Sequence, residues 1–424
     1  MSNTYHEATK HSYISVRQHP NYLDWSMQPS PFKIYEGYPL IPLVTSNKTH
    51  RFIYLLGGIN AKKIYPGVAY YLRTIASAGA LYPTEIYLQI RGVEGFEDGI
   101  YHFSVVQNGL RLLHKLKEEE GVEYYFKQKR LIKGIIVLYS SIYYRSSWKY
   151  KNRAFRYCLL DSGHALGALE MSALLYNHAY HIHYDFDKAA LNEIFGFTKR
   201  EFFLSYAIVG VPRGGEAKGL DIHLPFIDGT QHFIENSFIY QAYEDSMKLI
   251  GCKEKYRFPK LSLHPDRLYE AIMQRRSARA FDPKPIKKDQ LNFVLNIMQE
   301  PIPSDCDEDV AIYYVINRVE GMQKGLYRDG KLIKAGDFSQ KAGYLCLEQA
   351  LGSDSAVTFF LTSHGKNYQP LYQKAGHIGH RCYIASEYLG LGCSGIGAYY
   401  DDEVREFLQT DDMVLYALAI GKKE

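Results

Sequence analysis

Short apolar runs separated by turn residues alternate with longer stretches of helical period. Ile86-Tyr87-Leu88-Gln89-Ile90 reads as a strand, Val93 to Gly99 as a turn, and Ile100-Tyr101-His102-Phe103 as the hairpin partner. Gly134 to Tyr139 is a second strongly apolar strand. The period then changes. From Asp161 to Tyr176 apolar residues fall at helical spacing, with Gly163, Ala165, Gly167 and Ala168 among them, so a neighbouring helix can approach closely. After a polar, proline-terminated boundary (Cys252 to Pro259), Pro265 suits a first helical turn and Leu268, Ala271 and Ile272 supply an apolar face. Strands are predicted at Val310 to Asn317 and Ala356 to Thr362. Helices intermixed with hairpins indicate an α+β fold. Residues 1 to about 50, rich in Pro, Tyr and His, read as an irregular arm on the surface.

The pattern occurs twice. Val93-Glu94-Gly95-Phe96-Glu97-Asp98-Gly99-Ile100-Tyr101 reappears as Val319-Glu320-Gly321-Met322-Gln323-Lys324-Gly325-Leu326-Tyr327. Gly163-His164 and Gly376-His377 each open a small-residue helix, and a gapless pairing runs from these histidines to Phe195 and Leu408. Each copy closes on an apolar strand, Ser205 to Gly210 and Leu415 to Gly421. With 424 residues, each half is long enough to bury its own core. The expected division is residues 1–250, including the arm, and 251–424.

Composition narrows the class. A hydrophobic fraction of 46% and a charged fraction of 23% are ordinary for a globular enzyme. A net charge of +4 on scattered basic residues argues against nucleic acid or an anionic membrane as partner. The 38 tyrosines favour amphipathic packing and a large interface. The six cysteines show neither metal-ligand spacing nor a dense disulfide framework, so reduced thiols and no metal are expected. Met1 to Lys10 lacks an apolar signal core and no run of about 18 apolar residues occurs. A cytoplasmic protein is expected.

Four segments carry candidate chemistry. In Arg275-Arg276-Ser277-Ala278-Arg279, forked cations and a hydroxyl at a helix end match a phosphate monoester, although a solvated helix terminus reads equally well. Small residues in Arg73 to Glu85, notably Ser77-Ala78-Gly79-Ala80-Leu81, let backbone amides approach a flat ring. Gly390 to Tyr399 satisfies G-x-G-x-x-G, but a helix precedes it where a dinucleotide site needs a strand, so Gly395-Ile396-Gly397-Ala398 fits a glycine-rich approach to a ring face better. Finally, Lys149 beside Tyr150 offers two groups able to move a proton if a pKa is tuned toward neutrality; a solvated loop is the plainer alternative.

The pattern Arg-Thr-x-x-Ser-Ala-Gly-Ala-Leu-Tyr-Pro-x-Glu from Arg73, then Gly-x-Tyr-His-Phe, then Lys-Tyr-x-x-Arg-Ala-x-Arg-Tyr-x-x-x-Asp-x-Gly-His from Lys149, resembles the streptolysin-type (SagB-type) dehydrogenases of the nitroreductase-like flavoproteins. Arg-Arg-Ser-x-Arg-x-Phe at 275–281 is similar to the flavin-phosphate segment of ordinary nitroreductases. The resemblance implies two tandem nitroreductase-like domains forming an intramolecular pseudo-dimer, with FMN as cofactor. It places Arg275, Arg276, Ser277 and Arg279 at the phosphate and ribityl end, joined by Lys422 and Lys423. Ser77, Ala78, Gly79, Ala80 and Leu81 come from the other half, and Gly395 to Ala398 stand near the ring edge.

The two copies differ in what they keep. Copy one has Ala61-Lys62-Lys63 where copy two has its arginines, and His183-Tyr184-Asp185 where copy two has Ile396-Gly397-Ala398. Copy two has the acidic stretch Pro301 to Asp309 at the loop position, which would repel a phosphate-bearing flavin. One intact composite FMN site and one degenerate site are therefore expected, in a monomer acting as its own dimer and open to further association. The resemblance assigns Lys149 and Tyr150 to catalysis, oxidising azoline rings in a peptide or small molecule. The alternatives are an NAD(P)H-dependent nitro or quinone reductase, and a non-catalytic scaffold in a modification complex.

Overall fold

The computed structural model describes residues 2–18, 22–65, 68–228 and 232–424. Its contacts separate two units: an N-terminal unit of Leu23–Phe258 with Ile302–Asp307, and a C-terminal unit of Met1–Tyr22, Pro259–Pro301 and Glu308–Glu424.

The N-terminal unit is built on an antiparallel sheet. Its strands lie in the order Leu40–Pro42, Gly109–Lys115, Gly99–Ser104, Thr84–Arg91, Arg130–Ile142, Glu201–Glu216, His181–His183. The central strand Thr84–Arg91 is buried at every position, with the apolar run Ile86-Tyr87-Leu88 at its middle and no alternation of buried and exposed residues. One face carries a core of Tyr87, Ile136, Phe195, Phe197 and Phe203. The helix Ala154–Leu175 is buried along almost its whole length; its Gly and Ala positions leave room for that.

In the C-terminal unit the same order returns: Lys331–Ala335, Gly325–Arg328, Ala311–Ile316, Val357–Ser363, Met413–Lys423, with Leu391–Ile396 and Phe281–Asp282 both paired to the last. The repeat extends to single hydrogen bonds. Tyr101 donates to the Glu97 carbonyl at 2.6 Å, and Tyr327 to the Gln323 carbonyl at 2.8 Å, each phenol closing its own hairpin turn. Ala154–Leu175 is likewise matched by the buried helix Tyr368–Tyr388.

Two expectations are corrected. The first fifty residues are not an irregular surface arm: Ser2–Ala8 and Tyr13–Gln18 are helical, and Lys33 and Tyr35 are buried. Lys33 enters the core because Glu201 receives its ammonium at 2.6 Å and the Tyr87 hydroxyl accepts from it at 2.9 Å, satisfying a charge that could not otherwise be buried. Second, Cys252 and Cys306, 54 positions apart in the chain, form a disulfide with Cα atoms 4.8 Å apart. Such a pair leaves no trace in local spacing. Cys158, Cys346, Cys382 and Cys393 are free and buried. No helix among the described residues is long and apolar enough to cross a membrane.

Candidate active site

In the N-terminal unit the small-residue loop and the Lys-Tyr pair meet. A 3₁₀ turn spans Ala78–Ala80, with Gly79 at φ 64°, ψ 12°. A β-carbon added to Gly79 would stand 2.8 Å from the Tyr150 hydroxyl and 3.3 Å from the Lys149 ammonium, so any larger residue would have to displace them. Leu81 packs in a small cluster with Tyr144 and Trp148, against which Tyr150 also rests, tying the loop to the helix Tyr144–Tyr150. Burial pushes the Tyr150 phenol far above its ordinary value. Tyr150 is therefore a neutral hydrogen-bond donor near pH 7, not a phenolate base.

Behind the loop lies a buried polar frame that sequence reasoning did not single out. Asp161, on the helix Ala154–Leu175, accepts from the Ser77 hydroxyl at 2.5 Å and the Ala78 amide at 3.1 Å. Arg145 donates to the Tyr82 carbonyl at 2.9 Å and to Glu85 at 2.6 Å. His102 meets the other Glu85 oxygen at 2.8 Å. Burial, outweighing the pull of Glu85, lowers the His102 pKa, so the ring is neutral and its Nε2–H donates. Asp161 and His102 stood in the quoted motif, but nothing local distinguished them from packing residues.

In the C-terminal unit the remaining candidates gather at one sheet edge. The helix Pro265–Gln274 ends just before Arg275. Ser277 bridges to Cys393, and the Ala278 amide donates to the Cys393 carbonyl at 2.8 Å. Phe281 and Asp282 pair with Lys423 and Lys422, bringing the C-terminal lysines beside the arginine segment. Arg275 is buried, with its guanidinium 5.2 Å from the Tyr383 ring centre. Arg279 is exposed, while Arg276 turns back onto the Met273 and Arg275 carbonyls at 3.3 and 2.5 Å. Lys423 holds Glu387 at 2.6 Å, and Lys422 is half-buried. Tyr383, absent from the sequence candidates, meets Ser277 Oγ at 2.9 Å and accepts the Gly395 amide at 2.7 Å.

Gly395 and Ile396 lie on the strand Leu391–Ile396, which no helix follows directly, so the G-x-G-x-x-G run is not a dinucleotide fingerprint. Ile396 points into the core with Phe281 and Tyr399, whereas Gly397 and Ala398 remain half-buried beyond the strand end. The donor set here (guanidinium groups, a hydroxyl and an ammonium around small residues) is chemically suited to a phosphate-bearing ligand such as FMN.

The fold is α+β, with two nitroreductase-like units in tandem. Residues 272–422 match the Nitroreductase family model. A crystal structure from Anabaena variabilis ATCC 29413, of a protein provisionally named a nitroreductase, is 25% identical and superposes with a TM-score of 0.82, covering 100% of this chain and 99% of that one. A Methanocaldococcus jannaschii protein, provisionally named nitroreductase MJ1384, is 35% identical over 96 residues, 22% of this chain; the match spans 48% of that protein's length.

Proposed function

We propose that this chain is an FMN-dependent oxidoreductase of the SagB type, taking hydride from an azoline-like ring. One observation carries the reading: Gly79, in the small-residue loop that the resemblance sets near a flavin edge, lies against both Lys149 and Tyr150. A dehydrogenase needs a ring-edge contact and a proton acceptor at one place, and this juxtaposition supports assigning both to it.

FMN, when bound, supplies the hydride acceptor. Arg275, Ser277, Arg279 and Lys422 would hold its phosphate end, with Arg276 and Lys423 flanking them. Within the same unit, Gly397 and Ala398 would stand near the ring edge. Lys149, in its neutral amine form, would serve as proton acceptor, since the buried Tyr150 keeps its proton; Tyr150 would orient the substrate by donating from its hydroxyl. The match of residues 272–422 to the nitroreductase family supports the broader assignment as a flavin oxidoreductase.

Anaerobic titration of the purified yellow protein with an azoline-containing peptide tests the reading. Bleaching of the flavin band, slowed by Lys149→Met while the cofactor is retained, is the expected result. Flavin that bleaches only with NADPH, and turns over with a quinone, would establish the reductase instead. One equivalent of FMN per chain is expected, lost on changing Arg275 and Arg279 together to Ala.

A further inference from the structure

We propose that Asp161 is a positioning residue whose carboxylate clamps the Ser77–Tyr82 turn in the shape that sets Gly79 against Lys149 and Tyr150, and that losing its charge loosens the clamp. The meaning given to the turn rests on the function proposed above; the clamp itself does not.

The turn is costly backbone. Gly79, Ala80 and Tyr82 all have positive φ, at 64°, 56° and 46°, and two of these carry a β-carbon. Conformations of this kind persist only where their surroundings over-determine them. Here much of that constraint passes through one side chain. Asp161 Oδ2 receives the Ser77 hydroxyl at 2.5 Å, and Oδ1 receives the Ala78 amide at 3.1 Å. Ser77 Oγ, held in that direction, accepts the Tyr82 amide at 2.8 Å. A single carboxylate thus secures the turn at its start directly and at its end through a hydroxyl.

Its surroundings make the charge conditional. Asp161 is buried. The charged and titratable groups that act on it or feel it are Arg73 at the end of the strand Val68–Arg73, Tyr150 on the helix Tyr144–Tyr150, and Cys158 on its own helix. Burial pushes the carboxyl up to about 7, against the pull of Ser77, the Ala78 amide and Arg73. Ionised, it offers an acceptor to each of two donors. Protonated, the group is neutral, so its bonds to Ser77 and Ala78 lose the charge assistance that strengthens them and the clamp weakens.

Backbone hydrogen exchange across residues 78–82 tests this on the full chain, without added cofactor, at about pH 6 and about pH 8.5, with rates corrected for the intrinsic pH dependence. In the unaltered protein the Ala78 and Tyr82 amides should lose protection by about tenfold at the lower pH, the change expected when one charge-assisted hydrogen bond is lost. Asp161→Asn should show the weaker protection at both values. Ser77→Ala, which keeps the carboxylate, should release Tyr82 and spare Ala78. Protection in Asp161→Asn equal to the unaltered protein at the higher pH, or a pH dependence that persists in that variant, overturns the proposal. If Asp161→Asn does not fold, an unchanged Tyr82 amide in Ser77→Ala overturns it just as well. Because the readout needs no flavin, failure of the bleaching assay and failure of the clamp are separate results.

Discussion

Asp305 accepts the backbone N–H of Tyr184 through both carboxylate oxygens at 3.0 Å, and one of them also takes the N–H of Asp185 at 3.0 Å. Tyr184 and Asp185 are the counterparts, in the repeat, of Gly397 and Ala398. The amides of the first copy that correspond to the expected ring-edge donors of the second are therefore satisfied by the chain's own carboxylate. The acidic segment was expected to repel a flavin; within the N-terminal unit it occupies those donors. Asp305→Ala should cost roughly 2–3 kcal/mol in urea denaturation, since it orphans buried amides. It should add no second equivalent of FMN, because the first copy still lacks the arginine segment.

Gly79→Ala should be disruptive out of proportion to one methyl group. The residue has φ 64°, and the new carbon would press on Tyr150 and Lys149. A loss of roughly 1–3 kcal/mol in stability is expected from the backbone and the displacement together. Substrate-driven flavin bleaching should slow at least as much as in Lys149→Met. A variant of full stability and full rate would show that the loop and the pair do not act together.

Glu85 predicts an acid limb. Although burial works to raise its pKa, Arg145, His102 and Arg73 hold the carboxyl down to about 2 from an ordinary 4.5. A depressed folded-state value means stability that is present above the unfolded value and lost as pH falls through the folded one. Unfolding free energy measured between about pH 4.5 and about pH 2 should therefore fall with acidification, and Glu85→Gln should flatten that slope. At neutral pH the same variant should cost roughly 3–5 kcal/mol, because the buried Arg145 guanidinium loses its counter-charge.

Asp161 carries the opposite sign. Its folded value, about 7, lies above the ordinary 3.8, so the folded state holds the proton more tightly and stability declines as pH rises between those values. Asp161→Asn should remove this decline. Thermal melts across that range, compared between the two proteins, should diverge toward low pH, where the unaltered protein gains and the variant does not.

The Cys252–Cys306 disulfide joins the strand-free linker to the segment Ile302–Asp307. Closing a loop of that length should stabilise the N-terminal unit by roughly 2–4 kcal/mol. Reductant should lower the melting temperature of the unaltered protein, and Cys306→Ser should abolish the reductant effect.

Much of the fold was legible because its signals are local. The hairpin turns at Val93 and Val319 announce themselves through the same glycines and the same closing tyrosine, and the structure gives both the same phenol-to-carbonyl bond. The strands Thr84–Arg91 and Val357–Ser363 are built around the apolar runs Ile86-Tyr87-Leu88 and Phe359-Phe360-Leu361. The arginine segment was recognisable because Arg275 to Arg279 are neighbours in the chain. Asp161, Arg145 and Tyr383 were not recognisable as site builders, since their partners lie 84, 60 and 106 residues away. Lys33 gave no sign of burial because its counter-charge, Glu201, is 168 residues distant.

Residue order alone determined that this protein is an α+β chain written twice, with cationic and small-residue segments divided between the copies, because periodicity, turn chemistry and motif spacing depend only on near neighbours. Tertiary structure decided that Gly79 faces Lys149 and Tyr150, that Asp161 holds the turn between them, and that Asp305 takes the amides of Tyr184 and Asp185. Those relationships depend on which buried polar groups find a partner across the fold, and that requirement is met only once distant segments have packed together.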